Sequence, residues 1–338
     1  MEPDALDLDD GAAASRAIRV TVAICTYRRA EPLARALDGI SRLTFAGRRA
    51  PIIHVIVVDN EGCARVRAVV DAFASLSGAA VSYAVEPRRG ISQARNAALA
   101  LVPADADFVA FIDDDERPAP GWLDALLTTQ ARTGAVVVCG PISPEFSTSP
   151  PSWIVEGGFF VHPRILDRQG PEPVDGAPIA DARTGNVLIR ANELRRSGAH
   201  FDEAFGLSGG EDALFFRRLS AAGAVMVWSP AAEVSEVVPA ARARFGYLVR
   251  EYFRCGNVRA AIDALDGGDA SANRASSPRH VALTLKKGLK KALVHGGLLV
   301  ATVIALRGRA RAYGHLFEMA NAAGRLCYLC GIRYQHYR

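Results

Sequence analysis

Three consecutive carboxylates, Asp113, Asp114 and Asp115, follow directly on the apolar run Phe108 to Ile112. Like charges a few ångströms apart repel and raise one another's pKa, so such a triplet is costly unless positive charge sits among it. A hard cation is the economical source. Magnesium or manganese takes one or two carboxylates together with phosphate oxygens and water, which fits a nucleoside diphosphate bridging protein and metal. The plainer alternative is a solvated cap for the helix expected near Pro120. Polar residues follow other apolar runs in the same way: Thr26, Tyr27, Arg28 and Arg29 after Val20 to Cys25, Asp59 and Asn60 after Ile52 to Val58, and Glu86 to Gly90 after Val81 to Val85. The six cysteines offer less chemistry. Cys327 and Cys330 form a lone CxxC with no second ligand pair and read as helix packing, and the scattered remainder read as reduced thiols.

These runs, with Ala135 to Cys139, alternate with helical patterns that begin at Glu31-Pro32, Ser92 and Pro120-Gly121-Trp122. A continuous apolar run is what a strand buried on both faces requires. Strand, helix, strand in succession implies right-handed crossovers and a doubly wound sheet. Ligands of such sheets bind beyond the carboxyl ends of the strands, where the polar residues above all fall. No GxGxxG follows the first strand, which argues against a dinucleotide-binding domain. Beyond Cys139 the pattern loosens into a Pro, Ser and Gly-rich stretch to about Ile179. Its Trp153, Phe159 and Phe160, beside Gly157 and Gly158, could wall a sugar site or simply be buried. Regular structure is expected again at the strand Val187 to Arg190, a helix from Gly210 to Ala222 and the strand Val225 to Trp228.

With 338 residues, half of them hydrophobic, the chain can bury a large core. Residues 1–17 are small and acidic, unlike a targeting signal, and are expected to form a disordered leader. The α/β domain is expected over 18–265, a Gly, Asp, Ala and Ser-rich linker over 266–279, and a basic helical tail over 280–338. A net charge of +4 hides an asymmetry: from Ala240 onward 17 Lys and Arg face 5 Asp and Glu, a balance of +12 that leaves −8 for the first 239 residues. In the tail, Lys286, Lys287, Lys290 and Lys291 precede an apolar run from Ala292 to Leu306, closed by Arg307, Arg309 and Arg311. The run is shorter than the roughly 20 residues a spanning helix needs. Basic charge on both sides favours an interfacial helix on anionic lipid over a buried core helix or a true span. A cytoplasmic protein, peripheral at the inner face of the membrane, is the expectation.

In order along the chain, VAICTYRR, VIVVDNEG, GISQARNAAL, FIDDDE and GGEDALFFRRL resemble family 2 of the inverting glycosyltransferases over roughly Arg19 to Arg244. The later WSPAAEVSEVVPAAR resembles bacterial exopolysaccharide members, succinoglycan-type glucosyltransferases among them. The resemblance implies a GT-A fold: α/β, with a mixed, mostly parallel sheet flanked by helices, here carrying a C-terminal helical appendage. It also implies a nucleotide-sugar donor, UDP-linked before GDP or dTDP, a glycan or lipid-linked acceptor, and Mg2+ or Mn2+. Asp59 matches the aspartate that accepts the uracil N3–H, and Thr26, with Tyr27 and Arg29 beside it, lies in the loop that lines the base. Arg95 matches the arginine that approaches the nucleotide, although it could instead pair with Asp59 or Asp113.

Asp113 corresponds to the first acid of the DxD signature, near ribose and metal, and Asp115 to the one that coordinates the metal. Asp114, counted with the donor-binding residues, points elsewhere between them. An acceptor hydroxyl must lose a proton as it attacks. Glu211 and Asp212 match the family's ED motif at the positive end of a helix; Asp212 is the expected base and Glu211 the alternative. Trp153, Asn186 and Gly210 are expected near the acceptor. Where many relatives place a metal-touching histidine the chain has Glu233 and Glu236, so a metal role there stays open. The QxxRW signature of processive synthases is absent, which implies one sugar per visit.

Two other readings share parts of the pattern. A nucleotidyltransferase would want a Gly-rich phosphate loop and lysine after the first strand, where Thr26-Tyr27-Arg28-Arg29 stands. A non-catalytic nucleotide-sugar sensor or nucleic-acid-binding module could use the basic tail. Tyr313, Phe317 and Tyr328, however, fall at near-helical spacing as core residues do, and nucleic acid is not expected as a partner.

Overall fold

The computed structural model describes residues 16–46, 48–161, 173–265, 278–304 and 308–335. The leader expected at 1–17 and the linker at 266–279 lie almost wholly outside these residues, as does Arg307. In chain order the strands are β1 (Arg19–Thr26), β2 (Ile52–Asp59), β3 (Ala80–Val85), β4 (Phe108–Ile112), β5 (Glu116–Pro118), β6 (Val137–Cys139), β7 (Ile142–Phe146), β8 (Asn186–Arg190), β9 (Met226–Trp228) and β10 (Val234–Val238). The helices are α1 (Ala30–Ser41), α2 (Ala64–Ser77), α3 (Ile91–Ala100), α4 (Trp122–Thr133), α5 (Ser152–Glu156), α6 (Ala191–Ser197), α7 (Glu211–Ala221), α8 (Phe245–Leu265), α9 (Pro278–Ile304) and α10 (Arg309–Leu329).

Seven strands form one mixed, mainly parallel sheet in the order β3-β2-β1-β4-β8-β6-β9. Only β8 runs against its neighbours β4 and β6. The apolar runs are strands because both faces of the sheet are covered, and their side chains alternate between two cores with the period of a strand. Phe108, Ala110 and Ile112 of β4 join Val55 and Val57 of β2 on one face. Val109 and Phe111 join Ile56 and Val58 on the other. Leu33, Ala36, Leu37 and Ile40 recur at helical spacing and are the buried stripe of α1.

A second sheet, in the order β5-β10-β7, lies across the triplet's own chain. It overturns the expectation of an unstructured excursion after Cys139, since β7 and α5 both fall there. Ile142-Ser-Pro-Glu-Phe146 carries no apolar run and contains Pro144, so nothing local marks it as a strand. Pairing with β10 holds it, and its edge position tolerates the proline.

The C-terminal part is helical as the sequence implies, and α8 packs with α9 and α10. Phe317 and Tyr328 are buried in this packing. Two glycines let the α8 and α10 backbones touch: a Cβ on Gly256 would stand 1.9 Å from the Asn321 carbonyl oxygen, and one on Gly324 would stand 2.0 Å from that of Phe253.

Candidate active site

A cavity of about 360 Å³ opens at the carboxyl ends of β1 and β4, the place the sheet topology dictates and a size usual for small-molecule sites. The β1 end contributes Cys25, Thr26, Tyr27 and Arg29; the β4 end contributes Asp113, Asp114 and Asp115; α3 contributes Arg95. Glu236 of β10, Arg242 after it, and Tyr247, Glu251 and Arg254 of α8 close the other side. Arg28 turns the β1 end with φ 60, a left-handed backbone that is uncommon outside glycine. Its guanidinium and that of Arg89 both lie over the Tyr27 ring, 5.0 and 5.3 Å from the centroid.

The positive charge that three adjacent carboxylates require is present as three guanidiniums. Arg29 Nη1 donates to Asp115 Oδ2 at 2.8 Å and to Asp114 Oδ1 at 3.1 Å. Arg242 donates to Glu236 at 2.7 Å and stands 3.7 Å from Asp115. Arg95 donates to Asp113 Oδ1 at 3.0 Å and also to Glu211. Thr26 Oγ1 donates to Asp114 Oδ2 at 2.7 Å, which ties this middle carboxylate to the end of β1 while its other oxygen shares Arg29 with Asp115.

Burial dominates the electrostatics. It raises Asp113, whose pairing with Arg95 opposes the shift and whose neighbour Asp115 adds to it. It pushes Asp114 up to about 7 against the pull of Arg29. Glu236 is raised by burial and by the charge of Asp115. Glu211 reaches about 7, burial and the adjacent Asp212 outweighing Arg95. Burial lifts the Cys25 thiol to about 12, so it is no nucleophile at neutral pH.

Mutually repelling carboxylates are the donor set a hard divalent cation takes. Among the described residues no three acidic, His or Cys side chains converge closely enough to hold an ion by themselves. Two carboxylates completed by phosphate oxygens and water is the mode that Mg2+ favours. Asp113, 42% exposed, and Asp115 fit such an ion once Arg29 and Arg242 release Asp115.

Thr26, Tyr27, Arg29, Arg95, Asp113, Asp114 and Asp115 therefore all line one cavity, and Arg95 is paired with Asp113. Asp59 stands apart from the cavity. It is fully buried and accepts from the backbone N–H of Glu61 at 3.0 Å and of Cys63 at 2.7 Å, and from Tyr83 Oη at 2.9 Å. These bonds build the turn after β2 and leave Asn60, its neighbour, to line the cavity.

None of the three residues expected at the acceptor lines it. Asn186 is buried, accepting from Trp122 Nε1 at 2.8 Å and donating to the Pro141 and Ala232 carbonyls, so its amide braces the sheet. Gly210, at φ 91, is the turn into α7 and sits where any Cβ would strike Val258. Trp153 packs on Phe159 and Tyr313 and supports the aromatic wall that Phe159 and Phe160 present to the cavity. Glu211 and Asp212 lie outside the lining and join it through Arg95. Glu211 is 4% exposed, whereas Asp212 is more open.

Sequence reasoning missed Arg242, Glu251 and Arg254. The family-like stretch WSPAAEVSEVVPAAR ends on Arg242 and the basic bias after Ala240 includes Arg254, but no pattern marked Glu251. Of the two glutamates in the AEVSEVVP stretch, Glu236 lines the cavity with the triplet, while Glu233 accepts from Ser143 at 3.1 Å on the surface.

The model of glycosyl transferase family 2 matches residues 21–190, from within β1 to the last residue of β8. The chain belongs to that family. The succinoglycan biosynthesis protein ExoM of Rhizobium meliloti (strain 1021) is similar to this family 2 chain at 33% identity over 245 residues, 72% of the chain and 75% of the relative. A glucosyl-dolichyl phosphate glucuronosyltransferase of Haloferax volcanii is 30% identical over 149 residues, 43% of the chain and 44% of that protein. In fold, it is similar to the mannosyltransferase PcManGT of Pyrobaculum calidifontis, solved with GDP-Man and Mn2+, at a TM-score of 0.60 and 18% identity, covering 93% of this chain and 88% of that one. This likeness establishes the GT-A architecture. The matched family segment holds the β1 loop, Arg95 and the triplet, and stops before Glu211 and Arg242.

Proposed function

We propose that the chain is an inverting, metal-dependent hexosyltransferase that moves a sugar from a UDP-sugar to a hydroxyl of a glycan or lipid-linked acceptor in polysaccharide biosynthesis. The observation that carries this reading is the cavity in which the β1 loop, Arg95 and the Asp113–Asp115 triplet meet at the strand ends. The succinoglycan role in the name of the R. meliloti relative supports a polysaccharide acceptor, and the GDP-Man and Mn2+ in the P. calidifontis structure support a nucleoside diphosphate donor with a divalent ion. Tyr27 and Asn60 receive the base, and Thr26 holds Asp114 clear of the diphosphate. Arg29, Arg95 and Arg242 face the phosphates. Asp113 and Asp115 would hold Mg2+ or Mn2+, which would supply Lewis-acid neutralisation of the departing diphosphate.

In the transfer step the acceptor oxygen forms a bond to the anomeric carbon from the face opposite the diphosphate. The bond from that carbon to the diphosphate oxygen breaks, and its electron pair leaves with the nucleoside diphosphate. Asp212 takes the hydroxyl proton, being the open member of an acidic pair whose partner Glu211 is engaged by Arg95.

Calorimetric titration with UDP, GDP and dTDP, each with manganese and again with EDTA, tests the reading. UDP binding that needs the ion and is lost in Asp115→Ala is the expected result. Manganese-dependent affinity unchanged in that variant removes the metal assignment, and no binding of any nucleotide removes the donor assignment.

A further inference from the structure

Helix α9 packs inside out. Toward α10 it turns Thr284 and Thr302, both buried, Gly288 against Leu326, Lys291 against Glu318 and His295 against His315. Most of its leucines and valines face outward: Leu289 is 51% exposed, Leu293 76%, Val300 58% and Val303 59%, with Leu283, Leu285, Val294 and Leu298 partly exposed beside them. Burial of apolar area normally orients a helix the other way, so this face is shaped for something other than water. Lys286 and Lys290 are exposed beside Leu285 and Leu289, and Arg309 and Arg311 are exposed at the start of α10. No acidic residue occurs anywhere in the 27 residues of α9.

We infer that the outward face of α9 docks on an anionic lipid surface, the helix lying in the plane of the interface. An apolar stripe about 30 Å long from Leu283 to Val303, at 1.5 Å per residue, with lysines and arginines near its ends, matches headgroup charge over acyl chains. No helix among the described residues is long and apolar enough to cross a membrane, so docking along the surface is the geometry open to it. A second copy of the chain is the poorer occupant, because another α9 offers no acid to answer these lysines. The inference needs no nucleotide and stands apart from the transferase reading.

Co-sedimentation of the full chain with phosphatidylglycerol-containing vesicles, and with pure phosphatidylcholine vesicles, tests it. Binding to the anionic vesicles, weakened by salt and by about fivefold for each of Lys286→Gln and Lys290→Gln, is expected. Leu293→Glu, at a position too exposed to disturb the core, should weaken it at least tenfold while the thermal transition stays in place. Equal binding to both vesicle types, or binding that Leu293→Glu leaves unchanged, overturns the inference. So does a lipid-free dimer that Leu293→Glu dissociates while the vesicles remain unbound.

Discussion

Arg95 is the residue at which the acidic groups of the cleft meet. Burial works against its charge, but Glu211 and Asp113 outweigh that, and the guanidinium stays positive throughout. It consumes the charge of Glu211, whose other oxygen, Oε2, is buried without a partner among the described residues. Asp212, more exposed than Glu211 and accepting from the Ala213 backbone N–H, is the base in the proposed transfer. Asp212→Asn is expected to keep UDP affinity and to lower transfer by about a thousandfold, the scale of a lost general base. Glu211→Gln, which keeps an acceptor for Arg95, is expected to cost about tenfold or less. A rate assay beside the titration decides between them, since the reverse ranking would move the base to Glu211.

At the scale of elements, the cavity depends on helices that sequence motifs do not mark. α8 supplies Tyr247, Glu251 and Arg254, and its position is set by backbone contact with α10 at Gly256 and Gly324. Tyr313 and Phe317 of α10 also carry Trp153 and Phe159, so the aromatic wall rests on the same helix. Gly324→Ala places a Cβ against the Phe253 carbonyl and must push α8 from α10. A loss of about 1–3 kcal/mol in thermal or denaturant unfolding is expected, as for an overpacked core, together with weaker nucleotide binding. Wild-type values of both would mean that α8 is placed by other contacts.

Over the whole molecule, one carboxylate ties the catalytic unit to the basic appendage. Asp263 of α8 accepts from Arg217 of α7 at 3.2 Å, Lys287 of α9 at 2.9 Å and Arg325 of α10 at 3.0 Å. Burial alone would raise Asp263, yet the hydrogen bonds from Lys287, Arg325 and Arg217 and the charge of Arg325 hold it below its ordinary value. A depressed carboxylate contributes stability above its unfolded pKa, near 4, and loses it as pH falls through the folded value. Asp263→Asn is expected to cost about 2 kcal/mol at neutral pH, discounted for the exposed ends of Arg217 and Lys287. The variant should also lack the part of the wild-type stability loss that sets in below about pH 4. Unfolding curves of both proteins across acid pH check this, and parallel pH profiles would exclude the linkage.

The residues by themselves determined the sheet strands β1, β2, β3 and β4, because strands buried on both faces need unbroken apolar runs, and they determined that Thr26, Tyr27, Arg29, Arg95 and the triplet would gather, because strand ends of such a sheet share one edge. Composition also set a basic, acid-poor tail. The strands β6, β8 and β9 were legible in the same way, and tertiary structure alone decided how they pair and what stands beside them. Pro144 hides β7 from any local pattern, and antiparallel β8 enters the sheet through long-range pairing. Asp59 went to the turn after β2 because two backbone N–H groups and Tyr83 reach its carboxylate first. The triplet's counter-charge came from Arg29, Arg95 and Arg242, residues 18 to 127 positions in sequence from the carboxylates they meet and brought near only by the fold. A charge pattern states that compensation is needed, and only the folded chain states which group stands close enough to give it.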